Sequence, residues 1–541
     1  MMQPTAPQNS IAEPLAANQA GRPMSGGGLP VLDAHAPDGA ARGTIHRRFF
    51  LAGIVVALTF GAGWGVWLLL RIASSGSFTT PSVFAVNAHG QAQIYGWVGL
   101  FILGFAYQAF PRFAETRLAL APIARLSFVA MLGGVVLRSL TEPLAPSPWA
   151  WLAIAGAGLE LAAVLMFAAV VGATFRSAGR EPRTFDRYIL AAAAWFVVAG
   201  GVDLFHLARL LAAPDREALL GQIATFQLAL RDLQIHGVAM MMIFGVSLRV
   251  FPNIVGGRPP SDRLARRLWL PLNLAIAAEV AAFVGFMSTK AGGFAVLAGT
   301  AIVVLAGATV AFALNLRLFQ SSGSDDRSLK LLRASHVWLM IAMAMLVGSP
   351  LWFQLVGTPF SHAWYGAMRH AITVGFISMT IMGVAARVVP AMAGVHPSQL
   401  SRLWAPFLLV NAGCALRVAG QVATDLSPAA FPIAGASGLL ELTGLALWGS
   451  ELARVLLGRI APLPVATTPA PTPEPVPAPP AELDLDASVS DWVRRHPSTL
   501  AVFARLGMDS CCGGAESVVN AATHNGVDLE ALRKELARHV S

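Results

Sequence analysis

Residues 87–111 read NAHGQAQIYGWVGLFILGFAYQAFP, and between His89 and Pro111 no residue is charged. At about 1.5 Å per residue a helix over this stretch covers about 33 Å, the thickness of a bilayer core. The pattern returns twice, as HGVAMMMIFGVSLRVFP over 236–252 and as HAITVGFISMTIMGVAARVVP over 370–390. Each copy opens on a histidine and carries a glycine (Gly104, Gly245, Gly383). A polar residue follows four positions later (Gln108, Arg249, Arg387), and a proline three after that (Pro111, Pro252, Pro390). By the same rise His370 stands about 30 Å from its proline and His236 about 24 Å, which sets His236 deeper.

Outward from these copies the chain reads as twelve apolar spans, from about 48–74 to about 430–457. Of its 541 residues 55% are hydrophobic and only 12% charged, with a mean hydropathy of +0.61. A soluble protein of this size carries roughly a quarter charged residues. The repeat extends beyond the three helices: Arg138 and Glu160 in spans three and four match Arg417 and Glu441 in spans eleven and twelve. The expected fold is therefore all-α: about twelve transmembrane helices in three pseudo-repeated four-helix units of like orientation, plus a small soluble helical C-terminal domain. The net charge of +9 reflects arginine-rich loops rather than nucleic-acid binding, since no basic patch is interleaved with aromatics.

Positive charge gathers on alternate loops, as in Arg112, Arg117 and Arg125, in Arg176, Arg180, Arg183 and Arg187, and in Arg258, Arg263, Arg266 and Arg267. The positive-inside rule then places both termini in the cytoplasm of a multi-pass protein of the bacterial inner membrane. Residues 1–45, rich in Gly, Pro and Ala, read as a disordered cytoplasmic tail and 46–460 as the membrane domain. The Pro-rich stretch 461–482 reads as a semi-rigid linker, and 483–541 as the soluble domain, with helices expected at Val489–His496, Thr499–Leu506, Ser517–Asn525 and Leu529–Val540. Three cysteines exclude a disulfide framework.

This orientation puts His89, His236 and His370 at the outer ends of equivalent helices. His206 lies near the outer end of span five and His362 in the loop before span ten. A lone intramembrane histidine is as readily a hydrogen-bonding group as a ligand, but five on one side favour a shared site. Haem suits it, because neutral imidazole is an axial ligand and a porphyrin fits between facing helices. Arg138 and Arg417, at the depth of His89 and His370, have the bidentate geometry that haem propionates need. Gln108, Arg249 and Arg387 read as helix-end anchors, Glu160 and Glu441 as packing groups, and Met240, Met241 and Met242 as core.

The pseudo-threefold set of twelve helices, His-Gly opening span two and Pro111 closing it, resembles subunit I of the haem-copper oxidases. That resemblance implies His89 and His370 as the two axial ligands of one haem b. The stretches NAHGQAQIYGWVGLFILGFAYQAFP and RHAITVGFISMTIMGVAARV are more similar to the NnrS family of haem- and copper-containing membrane proteins, linked to nitric oxide metabolism and denitrification. His236, His206 and His362 are then candidates for a second haem or a metal. The chain departs from the oxidases in having no histidine in span seven and Met368-Arg-His370 in place of a paired His-x-His. Oxygen reduction is not expected, and copper is a weaker expectation than haem.

Residues 489–539, with Leu506-Gly-Met-Asp and Cys511-Cys-Gly-Gly, resemble the N-terminal domain of the ScdA and RIC iron-centre repair proteins. Adjacent Cys511 and Cys512 suit thiolate chemistry, an iron site or a mixed disulfide with a thiol or iron-protein partner. Both resemblances imply a haem b-binding membrane protein of nitric oxide metabolism or nitrosative-stress response, an oxidoreductase on nitric oxide being one form, with nitric oxide or an electron donor as small-molecule partner. Two other readings are a redox or nitric oxide sensor signalling through the Cys-Cys domain, and a twelve-helix transporter using the histidines as a proton or substrate path.

Overall fold

The computed structural model describes all residues except 1–44, 256–257, 322–325, 397–398, 461–482, 507, 509, 511–515 and 540–541. The expected N-terminal tail up to residue 44, the whole Pro-rich linker, and Cys511 and Cys512 lie outside the described residues. Among the described residues, twelve helices are long and apolar enough to cross a membrane: α1 (Ile45–Ser75), α2 (Val83–Phe113), α3 (Ala121–Leu144), α4 (Pro148–Ser177), α5 (Thr184–Leu211), α6 (Arg216–Val255), α7 (Asp262–Thr289), α8 (Gly292–Asn315), α9 (Leu329–Leu355), α10 (His362–Met392), α11 (Trp404–Ala423) and α12 (Pro428–Leu456). No strand occurs among the described residues.

Burial separates centre from periphery. The most apolar window of α2 is 100% buried and those of α6 and α10 are 72% buried, against 28% in α7 and α8. The three helices that carry the quoted pattern thus form the middle of the bundle, and polar contacts tie each pair. Trp97 Nε1 of α2 donates to Ser378 Oγ of α10 at 3.1 Å, Arg369 of α10 pairs with Asp232 of α6 at 2.7 Å, and Arg231 of α6 reaches Asn87 of α2.

Each central helix contains an eight-residue π-helical stretch: Ala92–Gly99, Leu233–Met240 and Ala371–Ser378. The chain remains helical through it and returns to α geometry at Leu100, Met241 and Met379. Pro111, Pro252 and Pro390 each stand twelfth in the α segment that follows, in its last turns, where each removes one backbone hydrogen bond close to the point at which the helix ends. Steps of 141 and 138 residues therefore carry the first unit onto the second and third. Those steps put Gln91 and Asp232, not His89 and His236, in the place of His370. The three histidines open equivalent helices without being equivalent residues.

The π stretches are where neighbouring helices press closest. A Cβ on Gly375 would lie 2.5 Å from Cγ of Trp338 on α9, and one on Gly237 would lie 3.0 Å from Cγ of Trp195 on α5. Both indoles are pinned from the far side, Trp338 by Asn411 at 3.1 Å and Trp195 by Asn273 at 2.9 Å. Spans α3 and α4 meet through Gly134 and Gly156, whose absent Cβ atoms would come within 2.7 and 2.9 Å of the facing carbonyls, the small-residue packing of apolar helices. Met240, Met241 and Met242 are core, at most 4% exposed.

The C-terminal segment forms α13 (Val489–Arg495), α14 (Thr499–Arg505), α15 (Val518–His524) and α16 (Leu529–Ala537), each within a few residues of its expected bounds. Trp492, Leu500, Phe503, Val518, Leu532 and Leu536 form its core, and Ser488, Ser517 and Asp528 cap three of the four helices.

Replacing Gly375 by Ala forces a methyl into the stem of Trp338, which cannot rotate away. We expect a loss of about 1–3 kcal/mol, read as a lower thermal unfolding midpoint of the detergent-purified protein. Gly158→Ala, inside a helix and with open space around the site, does not lower the midpoint, since alanine is the better helix former.

Candidate functional site

The histidine-bearing end of the bundle holds three buried polar clusters, one against each neighbouring pair of central helices. The steps that align the units carry Arg138 of α3 to Glu279 of α7 and Arg417 of α11. One structural position therefore anchors all three clusters, with different chemistry in each.

In the cluster beside α2 and α6, Arg138 is fully buried and held by three carboxylates. Its Nε donates to Glu142 at 2.7 Å, Nη1 to Glu160 at 3.1 Å and Nη2 to Asp203 at 3.1 Å, with a further Nη1 contact to Asp203. Gln91 donates to Glu160 and Asn87 to Glu142. Gln227 links Asn87, at 3.0 Å, to His206 Nε2, at 2.7 Å. The sequence places Arg138 beside a haem propionate; the fold instead occupies its donors with Glu142, Glu160 and Asp203. His206 is a hydrogen-bonded member of this network.

The cluster beside α6 and α10 consists of Asp232, His236 and Glu279, whose potential ligand atoms lie within 4.8 Å of one another. His236 Nδ1 stands 3.1 Å from Glu279 Oε2, and Arg369 bonds Asp232 Oδ1 at 2.7 Å. Asp232 was not anticipated from sequence, although alignment on the prolines puts it where His370 stands. His362 is exposed at the start of α10 and packs on Phe360, ring centroids 5.0 Å apart. The three histidines named as candidates for a second haem or a metal thus stand in three different surroundings, because α5, α6 and the first turn of α10 are separate walls of the bundle.

The third cluster, beside α10 and α2, contains His89, His370, Arg417 and Glu441. His89 Nδ1 donates to Gly61 O at 2.9 Å and His370 Nδ1 to Gly366 O at 2.7 Å. Only a protonated Nδ1 can bond a carbonyl, so both rings carry their lone pair on Nε2, and neither Nε2 has a hydrogen bond among the described residues. The two imidazoles lie within electrostatic reach of each other and of Arg417. The ring of His89 lies against Gly65 of α1, where a Cβ would come 2.6 Å from Cε1. Arg231 crosses from α6 over Gly90 beside it. Several buried groups here lack partners: Arg417 Nε and Nη1, Glu441 Oε1, Gln421 Oε1 and Trp64 Nε1. Cys414 is buried with Sγ 3.8 Å from His370 O.

A polytopic helical membrane protein with a pair of half-buried imidazoles in the same tautomeric state beside an under-satisfied arginine is the class that fold and site define. Residues 43–459 match the family described as NnrS protein, and residues 485–539 match ScdA_N, described as a domain of unknown function (DUF542). The chain belongs to the NnrS family, which implies a role in the response to nitric oxide. No curated protein matches the chain.

Arg138→Leu leaves three buried carboxylates without their cation, and we expect it to cost about 3–5 kcal/mol. Unfolding of the detergent-purified variant measures the loss. Arg417→Leu, which breaks no comparable set of bonds, costs distinctly less.

Proposed function

We propose that this protein binds haem b between α2 and α10, with His89 and His370 as axial ligands and Arg417 receiving a propionate. In this reading it takes part in nitric oxide metabolism or nitrosative-stress defence in the bacterial inner membrane. The observation that carries the reading is the matched state of the two imidazoles. Each has Nδ1 tied to a backbone carbonyl, a bond that orients a ligating histidine and raises its basicity. Each keeps Nε2 free for iron.

The surroundings fit the group. Arg417 Nε and Nη1 are buried donors without acceptors, and a buried unpaired donor is costly, so a carboxylate brought by a ligand satisfies them. Arg417 thereby replaces Arg138 as the first propionate partner, and Arg231, close to His89, is the second cation at hand. Gly65 leaves room for the flat face of the His89 ring. When bound, haem supplies an iron centre able to exchange electrons or take up nitric oxide. The protein fixes the imidazole tautomers, neutralises the propionates and keeps water from the site by burial. The Cys511-Cys512 domain extends the same role to a thiol or iron-protein partner on the cytoplasmic side.

After haem-replete expression, the purified protein is expected to show reduced-minus-oxidised bands of a six-coordinate haem b on dithionite addition. His89→Ala and His370→Ala each remove them; unaltered haem content and bands in both variants refute the assignment. For orientation, alkaline phosphatase fused after Ala213 is expected to be active and after Gly179 inactive. The reverse result inverts the protein.

A further inference from the structure

We propose that Asp232, His236 and Glu279 bind a divalent transition-metal ion through one imidazole nitrogen and two carboxylate oxygens, in a site separate from the His89–His370 pair. The inference does not rest on the haem reading.

Three observations support it. The first is spacing. Two donors each about 2.1 Å from one ion stand about 3.0–3.4 Å apart at ordinary coordination angles. His236 Nδ1 and Glu279 Oε2 are 3.1 Å apart, and the Asp232 oxygen completes a set within 4.8 Å. His236 and Glu279 are buried, and Asp232 is half-buried. Asp232 and His236 come from adjacent turns of α6, where the helix enters its π-helical stretch, a geometry found frequently at functional sites.

The second is the comparison among the units. The position that carries a guanidinium in the first and third units, Arg138 and Arg417, carries a carboxylate, Glu279, in the second. In the first unit that guanidinium is the centre that three carboxylates surround. In the second, the carboxylates Asp232 and Glu279 stand where the first has Gln91 and Arg138, so two acids and an imidazole, all metal donors, meet where the first unit has its guanidinium.

The third is charge. Arg369 supplies one bond to Asp232, and its Nε and Nη1 are buried without partners. Two carboxylates against one guanidinium leave a net negative charge inside an apolar bundle, where ionised groups are costly. A divalent ion reverses that charge. One monoanion on its open position, such as hydroxide, then makes the site neutral, and the free N–H groups of Arg369 are donors available beside it. One nitrogen and two oxygens without sulfur favour Fe(II), Mn(II) or Zn(II) over Cu(I). The competing arrangement is a proton on His236, which also neutralises the cluster.

The test uses the full chain in detergent, stripped with a chelator, reloaded separately with Mn(II) and Co(II), desalted, and measured by elemental analysis and Co(II) ligand-field absorption. One ion per chain is expected in the wild type and in Cys511→Ser/Cys512→Ser, with Co(II) bands that lack thiolate charge transfer. His236→Gln, Asp232→Asn and Glu279→Gln are each expected to weaken binding at least 10-fold, with size-exclusion elution unchanged. A variant that fails to elute as folded protein is set aside, and the Co(II) spectrum of the wild type together with the remaining variants decides. Failure of the wild type to retain either ion, thiolate bands that vanish with the cysteines, or equal loading in the folded variants overturns the proposal in favour of a protonated His236. Elemental analysis reads Mn(II) and Co(II) apart from any haem, and the Co(II) bands are read on protein expressed without added haem, so failure here leaves the imidazole-pair reading untouched.

Discussion

A charge inside an apolar bundle must be neutralised by another helix, because the bilayer offers no water to do it. Arg138 shows how this constraint organises the fold. Its guanidinium draws Glu142, Glu160 and Asp203 from α3, α4 and α5 onto one centre, and through Gln91 and Asn87 it ties those helices to α2. Such a network is a weak source of net stability but an expensive one to break. Its effect is to select a single packing of helices whose apolar faces alone would tolerate several.

The triplication then lets one framework hold three kinds of site. Equivalent glycines in the π stretches of α6 and α10 receive an indole from the preceding helix, and an asparagine on the following helix holds each indole in place. On this shared scaffold the position of Arg138 becomes Glu279 and then Arg417, and that of Gln91 becomes Asp232 and then His370. In the first cluster every nitrogen of the Arg138 guanidinium is bonded to a carboxylate, while Gln91 Oε1 and His206 Nδ1 stay unpaired. The second gathers an imidazole and two carboxylates. The third leaves donors and acceptors unpaired and presents two imidazoles in the same tautomeric state. The arginine distinguishes the clusters: the guanidinium of Arg138 is fully paired, whereas Arg369 and Arg417 keep buried N–H groups for a ligand.

Much of this was legible in residues 87–111 and their two echoes. Apolar length and the glycine-to-proline spacing are local properties, so the twelve spans, the four-helix period and the four C-terminal helices followed from them. The site was legible in part. His89 and His370 were singled out as a pair, and the fold brings them together with Arg417. Arg138, chosen by the same reasoning, is occupied by partners that no local pattern announces. Reading the repeat from its histidines rather than from its prolines concealed Asp232, which stands in the register of His370 and completes the cluster around His236.

The sequence by itself determined which segments cross the membrane, how they repeat and which residue types lie near one end, since hydropathy and spacing along one helix decide these. Only the tertiary structure decided who neutralises whom. Glu279 meets His236 across 43 residues, Asp203 meets Arg138 across 65 and Arg369 meets Asp232 across 137. Such pairings exist only once neighbouring helices have settled to within one side chain of each other.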